Sequence, residues 1–392
     1  MNFLPAVPFV RFVSSGYLYL MSVSSKTQNR TFGLDLMRAT AILLVLAGHC
    51  SWIFHDGNSI FTALMALAGF LGVEIFFVLS GFLIGRIIYR QFTESDFNGQ
   101  SVLYFLKRRW FRTFPNYFLI LLVNMVIAFL VGFSIDGLWR YFFFLQNFAW
   151  PMPRFFTESW SLSVEEFAYL ILPFSLLAVF SIVKPDRKSR QFLVVSCLLT
   201  LVFIAAKVFY HFGTRNTTIN DWNLALKSVV VFRLDSIFIG VIAGWIYMNH
   251  RDFWKRTKYF WAMLGVLMLG FYTFGIGLLG LTIERFPFFW NVVYLPLASV
   301  SVAFFLPVLS EWQKSGTAAA KAVTFISVIS YSIYLLHYGV VLQTMKHIVD
   351  TETLTPASSV VFTAVYLAIT IFLSSVLYRF YEKPVMDKRD VI

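Results

Sequence analysis

The sequence predicts an all-α integral membrane protein, a polytopic bundle of about ten transmembrane helices with both termini cytoplasmic. Three observations predict it. Hydrophobic residues make up 58% of the 392 and charged residues only 13%, more apolar surface than a soluble core requires. Apolar runs of about 20 residues, the length that crosses a hydrocarbon core, recur along the whole chain. Basic residues are shared unevenly between alternate loops: with the amino terminus inside, the inner loops hold 24 of the 32 Lys and Arg and the outer loops six, the bias that sets orientation. That distribution also accounts for the net charge of +12, since inner loops face anionic lipid, and it disfavours a nucleic-acid partner. The two cysteines, Cys50 and Cys197, are too few for a disulfide framework or a zinc site and read as packing residues.

Residues 1–30 form an N-terminal extension without an assigned role. They are apolar but broken by Pro5, Pro8 and Arg11 and lack a small-residue cleavage site, so they do not read as a signal peptide; Met1 and Met21 are both possible starts. Ten spans follow, at 35–54, 61–85, 114–133, 163–183, 191–210, 228–248, 259–280, 288–309, 323–344 and 358–378. No internal repeat, low-complexity linker or appended soluble domain is expected.

The first span, GLDLMRATAILLVLAGHCSW, carries Arg38 and His49. Ionisable groups in hydrocarbon are costly without a partner or a wet cavity and are functional candidates by default. Eleven residues are close to three helical turns, about 16 Å of rise, so the two lie on one face at different depths. In the second span, GVEIFFVLSGFLIGR, Glu74 lies near mid-membrane and is expected to partner His49, raising the ring's basicity and fixing its tautomer. Ser80 and Gly81 read as small residues for close helix packing.

The next motif, FLKRRWFRTFPNYF, brings Arg108, Arg109 and Arg112 together. It is either an ordinary inner-side basic cluster or a grip for phosphates, which guanidinium groups hold bidentately; the interleaved Trp110 and Phe111 favour the second. In TESWSLSVEEFAYLILP, Ser163 and Glu166 fit a capping box, which leaves Trp160 and Glu165 unexplained. Arg233 and Asp235 in FRLDSIFIG are two apart and cannot face each other on one helix, so each must find a partner elsewhere. Trp160, Glu165, Arg233 and Asp235 are therefore the candidates for contacting substrate. His337 in ISYSIYLLHYG reads as a satisfied packing histidine and Glu382 in RFYEKPV as a surface or helix-end residue. The aromatic segment from Arg140 to Phe156 reads as interfacial anchoring, with stacking on carbohydrate as the alternative.

Together these motifs, in order from residue 33 to about 385, resemble the acyltransferase 3 family of bacterial membrane acyltransferases. The resemblance rests on LDLMRATAILLVLAGH, FFVLSGFLIGR, RRWFRTFPNY, SWSLSVEEFAYL, RLDSIFIG, SYSIYLLH and YEKPV, and it makes 31–392 one transmembrane domain in the inner membrane. It implies transfer of an acyl group, usually acetyl, from cytoplasmic acyl-CoA (acetyl-CoA) to a hydroxyl of an extracytoplasmic glycan or lipid-linked saccharide, with no metal. Position by position, it places the family's histidine at His49, its first-helix arginine at Arg38, its basic loop at Arg108, Arg109 and Arg112, and its glutamate at Glu165. The chain departs from the family in having Glu74 where many members have aspartate, and Phe167-Ala168-Tyr169 where Gln-Phe-Tyr is usual.

The chemistry asks for two oriented substrates, removal of a hydroxyl proton and stabilisation of an oxyanion. His49 as general base and Glu74 as its orienting acid would meet the proton step, the arginines holding coenzyme A. Direct transfer and an acyl-histidine intermediate are both compatible with the sequence. The rival reading is a transporter or flippase for a lipid-linked sugar or polysaccharide precursor, since intramembrane charge also marks translocation pathways.

Overall fold

The computed structural model describes residues 30–54, 60–94, 96–182, 187–214 and 218–389. The expected extension, Arg30 apart, lies outside them, as do Lys184 and Arg215 of the loop charges. The described residues are mostly helical, with no strand. Among the described residues, nine helices are long and apolar enough to cross a membrane: α1 (Phe32–Ile53), α2 (Ile60–Glu94), α3 (Gly99–Leu130), α4 (Thr157–Ser181), α5 (Lys188–Gly213), α7 (Lys258–Leu278), α8 (Phe289–Glu311), α9 (Ala318–Ile348) and α10 (Pro356–Lys388). A shorter apolar helix, α6 (Leu234–Asn249), stands at the sixth position. The protein is an all-α, multi-pass membrane bundle.

Where the helices differ from the apolar runs, the backbone gives the reason. α3 begins fifteen residues before the expected 114 because Asn98 caps it, accepting from the N–H groups of Gln100 (2.9 Å) and Ser101 (3.1 Å). The basic cluster is therefore helical, not a loop. The expected span 228–248 becomes an α-helix only at Leu234 and starts instead as a short turn, Val230–Phe232, preceded by another at Asn223–Lys227. Their polar groups are paired inside protein, as irregular backbone in a membrane protein requires: Val230 N–H donates to Asn147 C=O (3.0 Å) and Asn147 Nδ2 to Ser228 C=O (2.6 Å).

α2 is the axis of the bundle, with α1 along one side, α6 along another and α8 also against it. Gly81 makes the α2–α6 contact possible: a Cβ there would collide with the Ile237 carbonyl. The small-residue packing expected of this motif holds for Gly81; Ser80 instead faces a cavity. The 140–156 segment is in large part core, since Tyr141, Phe144, Phe155 and Phe156 are buried and Phe144 stacks on Tyr117 at 4.4 Å. Trp139, Phe142 and Phe143 stay exposed.

Candidate active site

Helical spacing sorts the three arginines of α3. Arg109 and Arg112 are three apart and share a face; with Arg38 of α1 and Glu165 of α4 they line a cavity of about 110 Å³. Arg108, one residue off that face, lies outside it at the Tyr104 hydroxyl (3.1 Å), on a second hollow of about 390 Å³ that Arg109 and Arg112 also line. The two arginines thus stand between an outer basin and an inner chamber.

The chamber's charge is unbalanced. Asp35 is taken by Arg30, which donates from Nε (2.8 Å) and Nη2 (2.5 Å), leaving Arg38 a contact of only 3.5 Å to the same carboxylate. Glu165 is the one carboxylate in the lining, and it accepts from the Tyr169 hydroxyl at 2.6 Å. Ser80 Oγ lies 2.6 Å from that hydroxyl and, with the tyrosine proton committed to Glu165, donates to it. Arg109 sits over the Tyr169 ring, 5.9 Å from its centroid. Three guanidinium groups and one carboxylate make a site for an anion.

His49 lies at the other end of α1. Its Nδ1 is 2.9 Å from Val45 C=O and 3.3 Å from Nε2 of His337. The ring is flanked by Tyr338, 4.9 Å between centroids, and by half-exposed Trp52 at 5.9 Å. His337 is fully buried, and its Nδ1 is 2.7 Å from Tyr334 C=O. A main-chain carbonyl only accepts, so in each neutral ring Nδ1 carries the proton and Nε2 the lone pair. Tyr334 joins the two ends. It lines the chamber, its hydroxyl reaches Ser161 Oγ (2.5 Å) and Glu158 C=O (3.0 Å), and its ring is 5.6 Å from that of His337.

Glu74 is not beside His49, which corrects the expected pairing. Gly72 faces α1, so close to Ala41 and Val45 that a Cβ would collide with them. Glu74, two residues on and about 200° round the helix, points the opposite way. Fully buried, it forms an ion pair with Arg233 and accepts from Ser299 Oγ of α8 at 2.8 Å. Asp235 pairs with Lys207 of α5 at 2.5 Å, so the partners that Arg233 and Asp235 needed are on α2 and α5. Neither Arg233 nor Asp235 lines the chamber.

Trp160 also stands outside the lining. Its ring packs edge-on against Phe77 at 5.7 Å and its carbonyl accepts from Asn147 Nδ2 at 3.0 Å, while its neighbours Ser161 and Leu162 line the chamber. The expected capping box is absent, because α4 starts six residues before Ser163 and Glu166 accepts from Thr113 Oγ1 at 2.9 Å. Glu382 is buried rather than superficial: a wide turn at Tyr378–Glu382 swings it inward to Ser332 Oγ (2.5 Å) and Asn116 Nδ2 (2.8 Å).

Sequence reasoning missed His337, Glu158 and Tyr334. A signal was available in SYSIYLLH, since Ser330, Tyr334 and His337 are spaced i, i+4, i+7 and fall on one helical stripe. Among the described residues no cluster of His, Cys, Asp and Glu could hold a metal ion.

These features define a multi-pass membrane protein with an anion-receptive chamber linked through one helix to an imidazole pair. The chain belongs to the acyltransferase 3 family, whose acyltransferase-domain profile matches residues 31–379. It is 23% identical over 398 residues to the peptidoglycan O-acetyltransferase OatA of Listeria monocytogenes, covering 90% of this chain and 55% of that protein. The O-acetyltransferase OatA of Staphylococcus aureus is 23% identical over 385 residues, 91% of this chain and 57% of its own length. The putative peptidoglycan O-acetyltransferase YrhL of Bacillus subtilis is 30% identical over 211 residues, 48% of this chain and 30% of its own. The chain thus spans little more than half the length of the two OatA relatives. No solved structure matches it significantly.

Proposed function

We propose that this protein is an inner-membrane O-acyltransferase that takes an acyl group, acetyl foremost, from acyl-CoA at the arginine end and delivers it to a saccharide hydroxyl at the histidine end. The single observation that carries the reading is the convergence of Arg38, Arg109 and Arg112 on one chamber, with His49 three turns further along the helix that bears Arg38. Three cations with one carboxylate suit the phosphates of coenzyme A. The about 16 Å between Arg38 and His49 along α1 is a distance an extended pantetheine arm can bridge. The basic end then faces the cytoplasm, as the loop charges favour. A glycan acceptor is supported by the names of the relatives, two of which are called peptidoglycan O-acetyltransferases, and by the Trp52 and Tyr338 rings beside His49.

In this reading the acceptor hydroxyl gives its proton to Nε2 of His49 while its oxygen attacks the thioester carbonyl. Collapse of the tetrahedral intermediate breaks the C–S bond, and His49 returns the proton to the departing thiolate. General-base assistance of this kind contributes about a hundred- to ten-thousandfold. The test is release of free thiol from acetyl-CoA by membranes containing the protein. Wild type should release thiol and His49→Ala should not, at equal amounts of folded protein. Thiol release that ignores the substitution overturns the reading, and no release by wild type favours a transporter. Radiolabelled acetyl-CoA supplied without acceptor separates direct transfer, which leaves the protein unlabelled, from an acyl-histidine route.

A further inference from the structure

We propose that His337 is a positioning residue for His49, a fixed lone pair that accepts the His49 Nδ1–H and shares the positive charge that ring acquires during transfer. The inference rests on the acyltransferase reading of His49.

Three elements fix the lone pair in place. α9 widens into a π-helical turn over His337–Gln343, the kind of helical irregularity often found at functional sites. At that turn Tyr334 C=O receives the Nδ1–H of His337 (2.7 Å), and Gly339 N–H donates to the buried Glu158 carboxylate (2.9 Å). Glu158 also returns a main-chain contact to α9, its carbonyl accepting from the Tyr334 hydroxyl. Fully buried and held from Nδ1, the His337 ring has one nitrogen left, Nε2, and that atom faces Nδ1 of His49 at 3.3 Å. A histidine kept only for packing has no need of a wide turn, a buried carboxylate and a second imidazole to orient it.

The consequence follows the proton. When the acceptor O–H transfers its proton to His49 Nε2, the new C–O bond forms and the His49 ring becomes cationic. Its Nδ1–H then points at two acceptors, Val45 C=O and His337 Nε2, and hydrogen bonds to a charged donor are about twice as strong as neutral ones. As the C–S bond breaks, the proton leaves Nε2 for sulfur and both rings are neutral again. His337 gains and loses no proton; it supports His49 in the state that exists only near the transition state, so its removal acts on kcat and not on donor binding.

Two variants separate this role from a structural one. Asn in place of His337 keeps an N–H for Tyr334 C=O but is too short to reach His49, whereas Gln extends a carbonyl oxygen to where Nε2 lies. In the thiol-release assay with acetyl-CoA and native membranes, His337→Asn should lower kcat by about ten- to a hundredfold, the range of one charge-assisted hydrogen bond. Its KM for acetyl-CoA should stay at the wild-type value, and His337→Gln should recover most of the rate. Wild-type kcat in His337→Asn, or no recovery in His337→Gln at equal folded amounts, overturns the proposal. Activity retained by His49→Ala instead removes the acyltransferase reading itself.

Discussion

The carboxylate of Glu74 is held by the guanidinium of Arg233, both fully buried, so the acid expected to partner His49 serves the bundle and not the imidazole. With Ser299 the pair ties α2, the lead-in to α6 and α8 together, and Lys207–Asp235 adds α5. Removing one member of a buried pair strands the other, a cost of about 3–5 kcal/mol. Glu74→Ala is therefore expected to lower the thermal midpoint and the membrane abundance of the protein. Glu74→Ala with Arg233→Met should recover part of both, since removing both charges is cheaper than removing one. Thermal unfolding in detergent checks this; a Glu74→Ala protein that folds normally and has lost only turnover would return the acid to the proton step.

Arg109 and Arg112 should act on donor affinity, and Arg108 much less. Each of the first two lines both the chamber and the basin, while Arg108 lies only on the basin. Losing a hydrogen bond to a charged group costs about 1.5–3 kcal/mol. Arg109→Ala or Arg112→Ala should thus raise the KM for acetyl-CoA by about ten- to a hundredfold, with kcat at saturation little changed. Arg108→Ala should move KM by less than about threefold, as exposed charges typically do. Steady-state thiol release at varied acetyl-CoA decides it; equal losses from all three would make the cluster a general attraction rather than a shaped grip.

Under the proposed function, Tyr169 is expected to keep Glu165 from competing with the ligand. Its hydroxyl donates to Glu165 at 2.6 Å; without it the carboxylate is free to turn to Arg109 or Arg112 and occupy the charge that we propose holds phosphate. Tyr169→Phe should raise the KM for acetyl-CoA by about five- to thirtyfold, equivalent to one lost hydrogen bond. Adding Glu165→Gln should reverse most of that rise, and the reversal, a coupling between neighbours, is the diagnostic measurement. Additive losses would show that Glu165 touches the donor itself.

The fold was legible in the sequence because hydropathy is a property of runs, and the basic cluster was legible as a group, but the face shared by Arg109 and Arg112 was not, because it exists only once α3 is known to start at Gly99. Partner choice was not. Whether Glu74 meets His49 depends on which side of α2 faces α1, and Gly72 settles that by its close approach to Val45. The length of α6 was hidden for a related reason: Phe232 and its apolar neighbours continue the hydrophobic run through turns whose backbone is satisfied by the distant Asn147. His337 looked like core because nothing local reveals a π-helical turn or the ring it aims at.

Gly339 is the residue on which the seat of the histidine pair can be tested without touching an ionisable group. Its main chain lies against α3 and the start of α4, so close that a Cβ would collide with Asn124 Oδ1 and with Glu158 Oε1. Both obstacles are anchored, Asn124 by donating to Ile120 C=O at 2.9 Å and Glu158 by the Gly339 N–H itself. An added methyl must then push the wide turn of α9 away, at an overpacking cost of about 1–3 kcal/mol, and carry His337 with it. Gly339→Ala should reduce kcat by about tenfold or more, because an ångström of misplacement at a reacting centre is enough for such a loss. The KM for acetyl-CoA should not change, since the arginine chamber lies on the far side of Tyr334. Asn124→Ala opens the nearer obstacle, so the double variant should regain turnover that Gly339→Ala alone has lost. Measuring kcat and thermal midpoint for the four proteins of that cycle tests the packing directly: full activity in Gly339→Ala would mean that the turn and His337 are free to move apart.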